Sequence, residues 1–185
     1  MIESLFPCPV GNYELDRDVT QKEMTYLKEL PLEPNVGNVS SVSGQVLKHK
    51  DIANINNTVQ ITQSWINKTI PGAYHHQHWH HNSIVSGVFY FDGNDDSDTI
   101  SFVNHQNWLG DTFTLLLNED NVFNSLSWWL PTPAGRLYLF PSRLEHCVNE
   151  VQGTKDRWSL SFNTFTNDAF SKSLLKKLYK GKIIL

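Results

Sequence analysis

The stretch from Tyr74 to Phe91, YHHQHWHHNSIVSGVFYF, decides how the rest of the chain is read. Five of the eight histidines fall inside it: His75, His76, His78, His80 and His81. Neutral imidazole is the commonest protein metal ligand, so the cluster raises a metal site at once. The second half of the stretch is rich in β-branched and aromatic residues and reads as a strand, predicted from His78 to Phe91. Alternate side chains of a strand share a face. His78 and His80 are therefore predicted to point one way and Trp79 the other, and two imidazoles at i and i+2 can chelate one ion. A third ligand must come from elsewhere. A histidine-rich tract alone is only a compositional signal, and a solvated loop accounts for it equally well.

The third ligand is sought at His146, within GRLYLFPSRLEHCVNE, after the apolar run Leu137 to Phe140. The order is then two ligands early on one strand and one late, on a strand expected to face it. Glu145 adjoins His146 and is expected to point away from it. Shortly afterwards comes KDRWSLSFNTF, where Trp158, Leu160 and Phe162 alternate with Arg157, Ser159 and Ser161. An Arg and a Ser side by side on one strand face suit a carboxylate, because the guanidinium fork grips it bidentately and the hydroxyl adds a donor. By itself Arg-x-Ser is a weak signal, equally compatible with an edge-strand Arg paired to a surface acid.

Taken together, these pieces resemble the 2-oxoglutarate/Fe(II) oxygenase family, in the prolyl-hydroxylase-like part of that superfamily, whose members often occur in marine bacteria and their phages. The resemblance rests on LFPCPV near the N-terminus, SWIN at Ser64–Asn67, HWHHNSIVSGVFYF, GRLYLFPSRLEH and RWSLSFN, in that order. It implies a double-stranded β-helix (jelly-roll or cupin-like, mainly β, with a few flanking helices). It also implies a dioxygenase that uses Fe(II) and 2-oxoglutarate to hydroxylate an unidentified peptide or small molecule, releasing succinate and CO2. His78, His80 and His146 are implied to hold the metal, and Arg157 and Ser159 to clamp the far carboxylate of 2-oxoglutarate. Ser86 and Tyr90, which share a strand face with Val88, match positions that contact 2-oxoglutarate in the prolyl hydroxylases. Asn67 is placed on a face with Val59, Ile61, Gln63 and Trp65, where it would touch the metal-side carboxylate or cap a turn.

Two positions depart from the family's pattern. His81 stands where the family usually has Pro. His80 stands where the usual two-His-one-carboxylate triad has its acid, and no Asp or Glu follows until Asp92. Three neutral imidazoles also suit Zn²⁺ with an open fourth position, so a three-His zinc hydrolase stays open. So do a non-catalytic metal-binding β-sandwich and a thiol-dioxygenase type of site, although Arg157 and Ser159 argue against the last.

At 185 residues the chain suits one domain, 1–185, able to bury roughly 70% of its unfolded surface. The formal charge is −4, with no basic stretch beyond lysines 176, 177, 180 and 182, so nothing points to nucleic acid. Two cysteines give no disulfide framework. The N-terminus lacks the plan of a signal peptide and no apolar run approaches the ~20 residues that span a bilayer, so a cytoplasmic protein is expected. A strand is predicted over Leu5–Val10 and a helix over Thr20–Leu30, opened by a Thr20/Glu23 capping box and ended by Pro31. Residues 33–57 read as loop with a short helix near Lys50. Further strands are predicted over Thr58–Asn67, Thr99–Asn104, Thr112–Asn118, Arg136–Pro141 and Arg157–Phe165, with a turn at 92–98 and a C-terminal helix over Ala169–Lys180.

Overall fold

The computed structural model of the chain describes residues 8–35, 38–42, 59–94, 97–105, 119, 121–122 and 124–166. The predicted strand over Thr112–Asn118, the helix near Lys50 and the C-terminal helix lie outside these residues. Eleven strands and one helix are described: β1 (Gly11–Glu14), α1 (Gln21–Glu29), β2 (Glu33–Asn35), β3 (Asn38–Val42), β4 (Val59–Thr69), β5 (His75–His78), β6 (Val85–Asp92), β7 (Thr99–Val103), β8 (Ser127–Pro131), β9 (Arg136–Pro141), β10 (His146–Val148) and β11 (Arg157–Thr166). They form two antiparallel sheets, ordered β1-β9-β6-β11-β4-β3-β2 and β5-β10-β7-β8. Val88, Tyr90, Tyr138 and Phe140 of the larger sheet pack on Ile100 and Phe102 of the smaller, so the core lies between the sheets in a double-stranded β-helix. Among the described residues no helix is long and apolar enough to cross a membrane.

Helix α1 covers the outer face of the larger sheet. Thr20 caps it, accepting from the Glu23 N–H while the Glu23 carboxylate accepts from the Thr20 N–H, as the sequence predicts. Its buried Met24 and Leu27 then meet Ile66 and Trp158. Trp158 and Leu160 thus face α1 while Arg157, Ser159 and Ser161 face the interior, the alternation read from the sequence.

Several expectations need correction. Of the predicted strand over Leu5–Val10, residues 5–7 lie outside the described residues and 8–10 are not strand; the first described strand is β1 at Gly11–Glu14, since Pro9 has no N–H to donate to a ladder and pairing with β9 begins only after it. Residues 33–57 are not all loop, because β2 and β3 pair there as the edge of the larger sheet. Pro34 is tolerated on that edge, and the weakly apolar sequence concealed it. The predicted strand from His78 to Phe91 is two strands, β5 and β6, split by a turn in which Asn82 takes a left-handed φ of 56°. The sequence places a strand at His146, which is β10, but gives no signal for β8.

Three register shifts reset which side chains face inward. Asn163 pairs with Gln63 but Thr164 with Ile61, so Thr62 is an extra residue in β4. An extra residue reverses the alternation beyond it. Ile61 therefore packs outward with Leu139 and Phe162 rather than sharing the face of Asn67, where sequence parity placed it. A second shift makes Phe91 extra in β6 and puts it beside α1. The third lies in β5: His146 pairs with His78, but Val148 pairs with His75.

Gly87 sits where β6 passes between β9 and β11, beneath two of these packed side chains. A Cβ there would run into the Phe162 ring and lie 2.8 Å from Leu139 Cδ2. Gly87→Ala is expected to lower stability by about 1–3 kcal/mol through overpacking, measured by urea unfolding. An unchanged midpoint would show that the Phe162 ring yields freely.

Candidate active site

The site begins with a backbone register. Strand β10 lies between β5 and β7, and His146 stands directly opposite His78 on one side and Phe102 on the other. The strand carrying His146 is thus a hydrogen-bonded neighbour of the one carrying His78, not one that faces it across the core. Each ring is oriented through its Nδ1, that of His78 lying 2.8 Å from the His76 carbonyl and that of His146 2.9 Å from the Leu144 carbonyl. A carbonyl only accepts, so both rings donate from Nδ1 and leave Nε2 for a metal, the arrangement by which outer partners fix a ligand's tautomer.

His80 is placed by a different device. It lies beyond the end of β5, so strand alternation does not orient it. Its N–H donates to the Ser142 carbonyl at 2.9 Å, and the Ser142 N–H donates to the Ile84 carbonyl at 3.1 Å. The Ser83 hydroxyl stands 2.6 Å from Ser142 Oγ and 3.1 Å from the Thr164 carbonyl. The turn is therefore tied to the end of β9 and to the end of β11. Trp79 points away and is half exposed.

The three rings converge. Centroids are 4.4 Å apart for His78 and His146, 5.0 Å for His78 and His80, and 5.2 Å for His80 and His146. One nitrogen from each lies within 4.8 Å of the others. Small rotations bring such a set onto one ion at roughly 2.0–2.2 Å. Burial lowers the pKa of His146 to about 3 and that of His80 to about 4, helped by the neighbouring imidazoles, and lowers that of His78 too. All three are held in the neutral form that ligates metal. Glu145 faces away as expected; its carboxylate meets His105 and Gln77.

The imidazoles open into a cavity of about 220 Å³ between the sheets. Its other wall is the β4–β11 ladder, where Trp65 pairs with Ser161, Asn67 with Ser159 and Thr69 with Arg157. The His80 ring lies 5.7 Å from Trp65, which places it at one end of this ladder, with Arg157 at the other. Arg157 is 2% exposed, and its Nη1 donates to the Asn149 carbonyl at 3.3 Å. Among the described residues it makes no ion pair within 4.0 Å. Burial lowers its pKa, opposed by the nearby Tyr90 and Asp98. A buried guanidinium with one carbonyl partner and an open cavity beside it is built to receive an anion. Asn67 donates from Nδ2 to Ser161 Oγ at 3.1 Å, while its buried Oδ1 has no protein partner.

Of the residues read from the sequence, His78, His80, His146, Arg157, Ser159 and Asn67 all line this cavity. Ser86 and Tyr90 do not. The Ser86 hydroxyl is 2.8 Å from both Ser142 Oγ and Asn163 Oδ1, within the network that ties down the His80 turn. Tyr90 pairs with Ser159 in register and lies buried behind Arg157, its burial raising the phenol pKa. Trp65, Thr69, Ser161 and His75 line the cavity without having been singled out. The first three stand two residues from Asn67 or Ser159, so strand parity places them on the same faces. His75 depends on the bulge in β5.

The profile of the family described as "Putative 2OG-Fe(II) oxygenase" matches residues 63–163, which span every residue named above for the cavity. No curated protein matches the chain. Among solved structures, the chain is similar to an oxidoreductase of the 2OG-Fe(II) oxygenase family from Burkholderia pseudomallei, with TM-score 0.58 and 12% identity over 83% of this chain and 84% of that one. It is similar to HygX from Streptomyces hygroscopicus, solved with nickel, 2-oxoglutarate and hygromycin B, with TM-score 0.58 and 10% identity over 86% and 84%. It is also similar to a prolyl-4-hydroxylase from Pseudomonas putida, with TM-score 0.51 and 12% identity over 84% and 92%. At these identities the likeness is one of fold.

Because His80 and His146 are neutral above about pH 4 and burial shifts His78 in the same direction, metal binding by the three imidazoles at pH 6 should displace few protons. Three histidines with ordinary pKa near 6.5 would release about two per ion. Calorimetry with Zn(II) in buffers of different ionisation heat is expected to give fewer than one; release of two or more would contradict the burial argument. The depressed values also set a sign for the metal-free protein. The unfolded chain takes up protons first, so stability falls as pH drops from about 6.5 through about 4.

Proposed function

The chain belongs to the 2OG-Fe(II) oxygenase family, and we propose that His78, His80 and His146 hold its iron while Arg157 and Ser159 hold the distal carboxylate of 2-oxoglutarate. The observation that carries this reading is Arg157: a buried cation with no carboxylate partner among the described residues, lining the same cavity as three convergent neutral imidazoles. A dicarboxylate with a 2-oxo-acid end answers both features at once. Its chelating end completes a metal that has three neutral ligands, and its far end pairs with the guanidinium. The donor set fits iron through its nitrogen ligands, and the absence of a carboxylate makes the anionic co-substrate carry more of the charge balance. With the usual triad, Fe(II) and dianionic 2-oxoglutarate would sum to −1; with His80 in place of the acid they sum to zero. Ligand charge tunes metal choice and redox potential, so discrimination of Fe(II) against Zn(II) is expected to be weaker here than in relatives that keep the carboxylate.

Each residue of the chain then has a stated task. The carbonyls of His76 and Leu144 keep Nε2 of His78 and His146 aimed at the ion. The unpartnered Oδ1 of Asn67 is placed to accept from a water beside the metal-side carboxylate. Arg157 and Ser159 fix the length and orientation of the co-substrate. Ile100, Phe140 and Val148 wall the cavity and exclude water from it. Bound iron and 2-oxoglutarate supply the oxidative chemistry, in which oxygen is reduced as the 2-oxo acid loses CO2 and becomes succinate. A cavity of about 220 Å³ is below the roughly 300–1,000 Å³ typical of sites for drug-sized ligands, so the primary substrate, a peptide or small molecule, meets the site at its mouth. The three-imidazole set also favours a second reading, a zinc-activated water in a hydrolase. That reading leaves Arg157 without a purpose.

Arg157→Ala is expected to weaken 2-oxoglutarate binding to the Mn(II)-loaded protein by about 2–5 kcal/mol, since truncation leaves a desolvated carboxylate unpaired. Arg157→Lys should also lose affinity, because a point charge does not reproduce the fork. Calorimetry gives both values, and succinate release from the Fe(II) protein supplies the matching activity. Undiminished affinity in both variants would overturn the assignment and return the zinc reading.

A further inference from the structure

A fourth histidine reaches the cavity without belonging to the converging three. His75 and His78 are an odd number of residues apart, and in a regular strand they would face opposite ways. The extra residue in β5 cancels this, because His75 pairs with Val148 where His78 pairs with His146. The His75 ring consequently lies 4.4 Å from that of His78 and lines the cavity, while the adjacent His76 and Gln77 are exposed. Bulges beside active sites commonly re-aim a side chain, and this one turns an imidazole inward. His75 is not one of the three residues whose ligand nitrogens gather within 4.8 Å. It extends from the smaller sheet, whereas Arg157, Ser159 and Asn67 extend from the larger one, and all of them border one space.

We propose that His75 is a co-substrate-binding residue, donating from its imidazole to the carboxylate that Arg157 and Ser159 hold from the opposite sheet. The inference rests on the 2-oxoglutarate reading above. It adds that the co-substrate is gripped from both sheets, with one donor wall on β11 and the other on β5. The bulge then has a purpose: without it, the cavity would have polar groups for the distal carboxylate on one side only. A fourth metal ligand is the competing role, but four imidazoles and a bidentate 2-oxo acid would fill all six positions of the ion and leave none for oxygen. The charge of Arg157 also reaches His75. Two cationic groups side by side are unfavourable, whereas a neutral imidazole N–H beside the guanidinium adds a donor without repulsion.

The test compares His75→Phe and His75→Gln with the unaltered protein. Phe keeps the ring volume and removes the donor, while Gln keeps a donor. Mn(II) binding is measured first, then 2-oxoglutarate binding to the Mn(II)-loaded proteins. Mn(II) affinity is expected to be the same in all three. The 2-oxoglutarate Kd is expected to rise about tenfold to a hundredfold in His75→Phe, as for loss of one hydrogen bond to a charged group, and to be largely restored in His75→Gln. Loss of Mn(II) in both variants would make His75 a metal ligand and overturn the proposal. Equal 2-oxoglutarate affinity in His75→Phe and the unaltered protein would overturn it while leaving the wider reading intact. Failure of the unaltered protein to bind 2-oxoglutarate would remove both. A measurement on the unaltered chain does not depend on whether the variants fold. The ring 15N signals of His75 in the Zn(II)-loaded protein should move when 2-oxoglutarate is added, and their standing still would count against the inference.

Discussion

The pairing of β10 with β5 is the constraint on which the rest of the site depends. His146 and His78 are far apart in the chain, yet the ladder sets them directly opposite one another. A slip of one residue would send His146 to the far side of its sheet, where Cys147 now points, and no local adjustment would recover it. Three features hold the register. On its other edge β10 also pairs with β7, Val148 packs against the core between the sheets, and the extra residue in β5 admits only one alignment. His80 cannot be held by the same ladder, since β5 ends at His78. It relies on the turn around Asn82, which the hydroxyls of Ser83, Ser86 and Ser142 join to β6, β9 and β11. Two of the three imidazoles are therefore placed by sheet register and the third by a buried hydroxyl network. Damage to that network would misplace one imidazole while sparing the others.

Charge explains why these residues sit together. Burial makes each imidazole neutral, which prepares the nitrogens for a metal but gives the ion no compensating charge. Burial also leaves Arg157 with a positive charge and, among the described residues, a single carbonyl partner. Metal and guanidinium together ask for a doubly negative ligand that spans the cavity. The usual carboxylate at position 80 would have met part of that demand from within the protein. Its replacement by His80 shifts the demand onto the ligand. Asp98, buried and close to Arg157, moderates the field at that end, its Oδ2 accepting from the Asn94 N–H.

Much of this was legible before any coordinates, and what was not has physical causes. The two histidines of the H-x-H run, the distant His146 and the Arg157/Ser159 pair all line one cavity, because short motifs in a fixed order report the fold's strand sequence. Strand periodicity also identified the interior and exterior faces of β11. It failed wherever an extra residue enters a ladder. Thr62 sent Ile61 outward, and the bulge in β5 turned His75 inward. A bulge leaves no composition signal, so parity arguments break at the point where the protein aims its site. Ser86 shows a different failure. Its position and chemistry match a ligand contact, but the nearby Ser142 and Asn163 engage its hydroxyl first. His80 converges with the other two imidazoles, but a turn sets its direction rather than the strand alternation that the sequence suggests. The β2–β3 edge was missed because its pairing is made by backbone groups and its side chains carry little apolar pattern.

The central claim is that one small dicarboxylate bridges the imidazole cluster and Arg157 with its 2-oxo end at the metal. Carbon-13 relaxation of 2-oxoglutarate bound to the Mn(II)-loaded protein tests it directly, since paramagnetic broadening falls steeply with distance from the ion. The account predicts strong broadening at C1 and C2 and much weaker broadening at C5. In Arg157→Ala, less 2-oxoglutarate should bind, while C1 and C2 stay the most broadened positions of the fraction that does. Equal broadening at C1 and C5 in the unaltered protein, or stronger broadening at C5, would contradict the account.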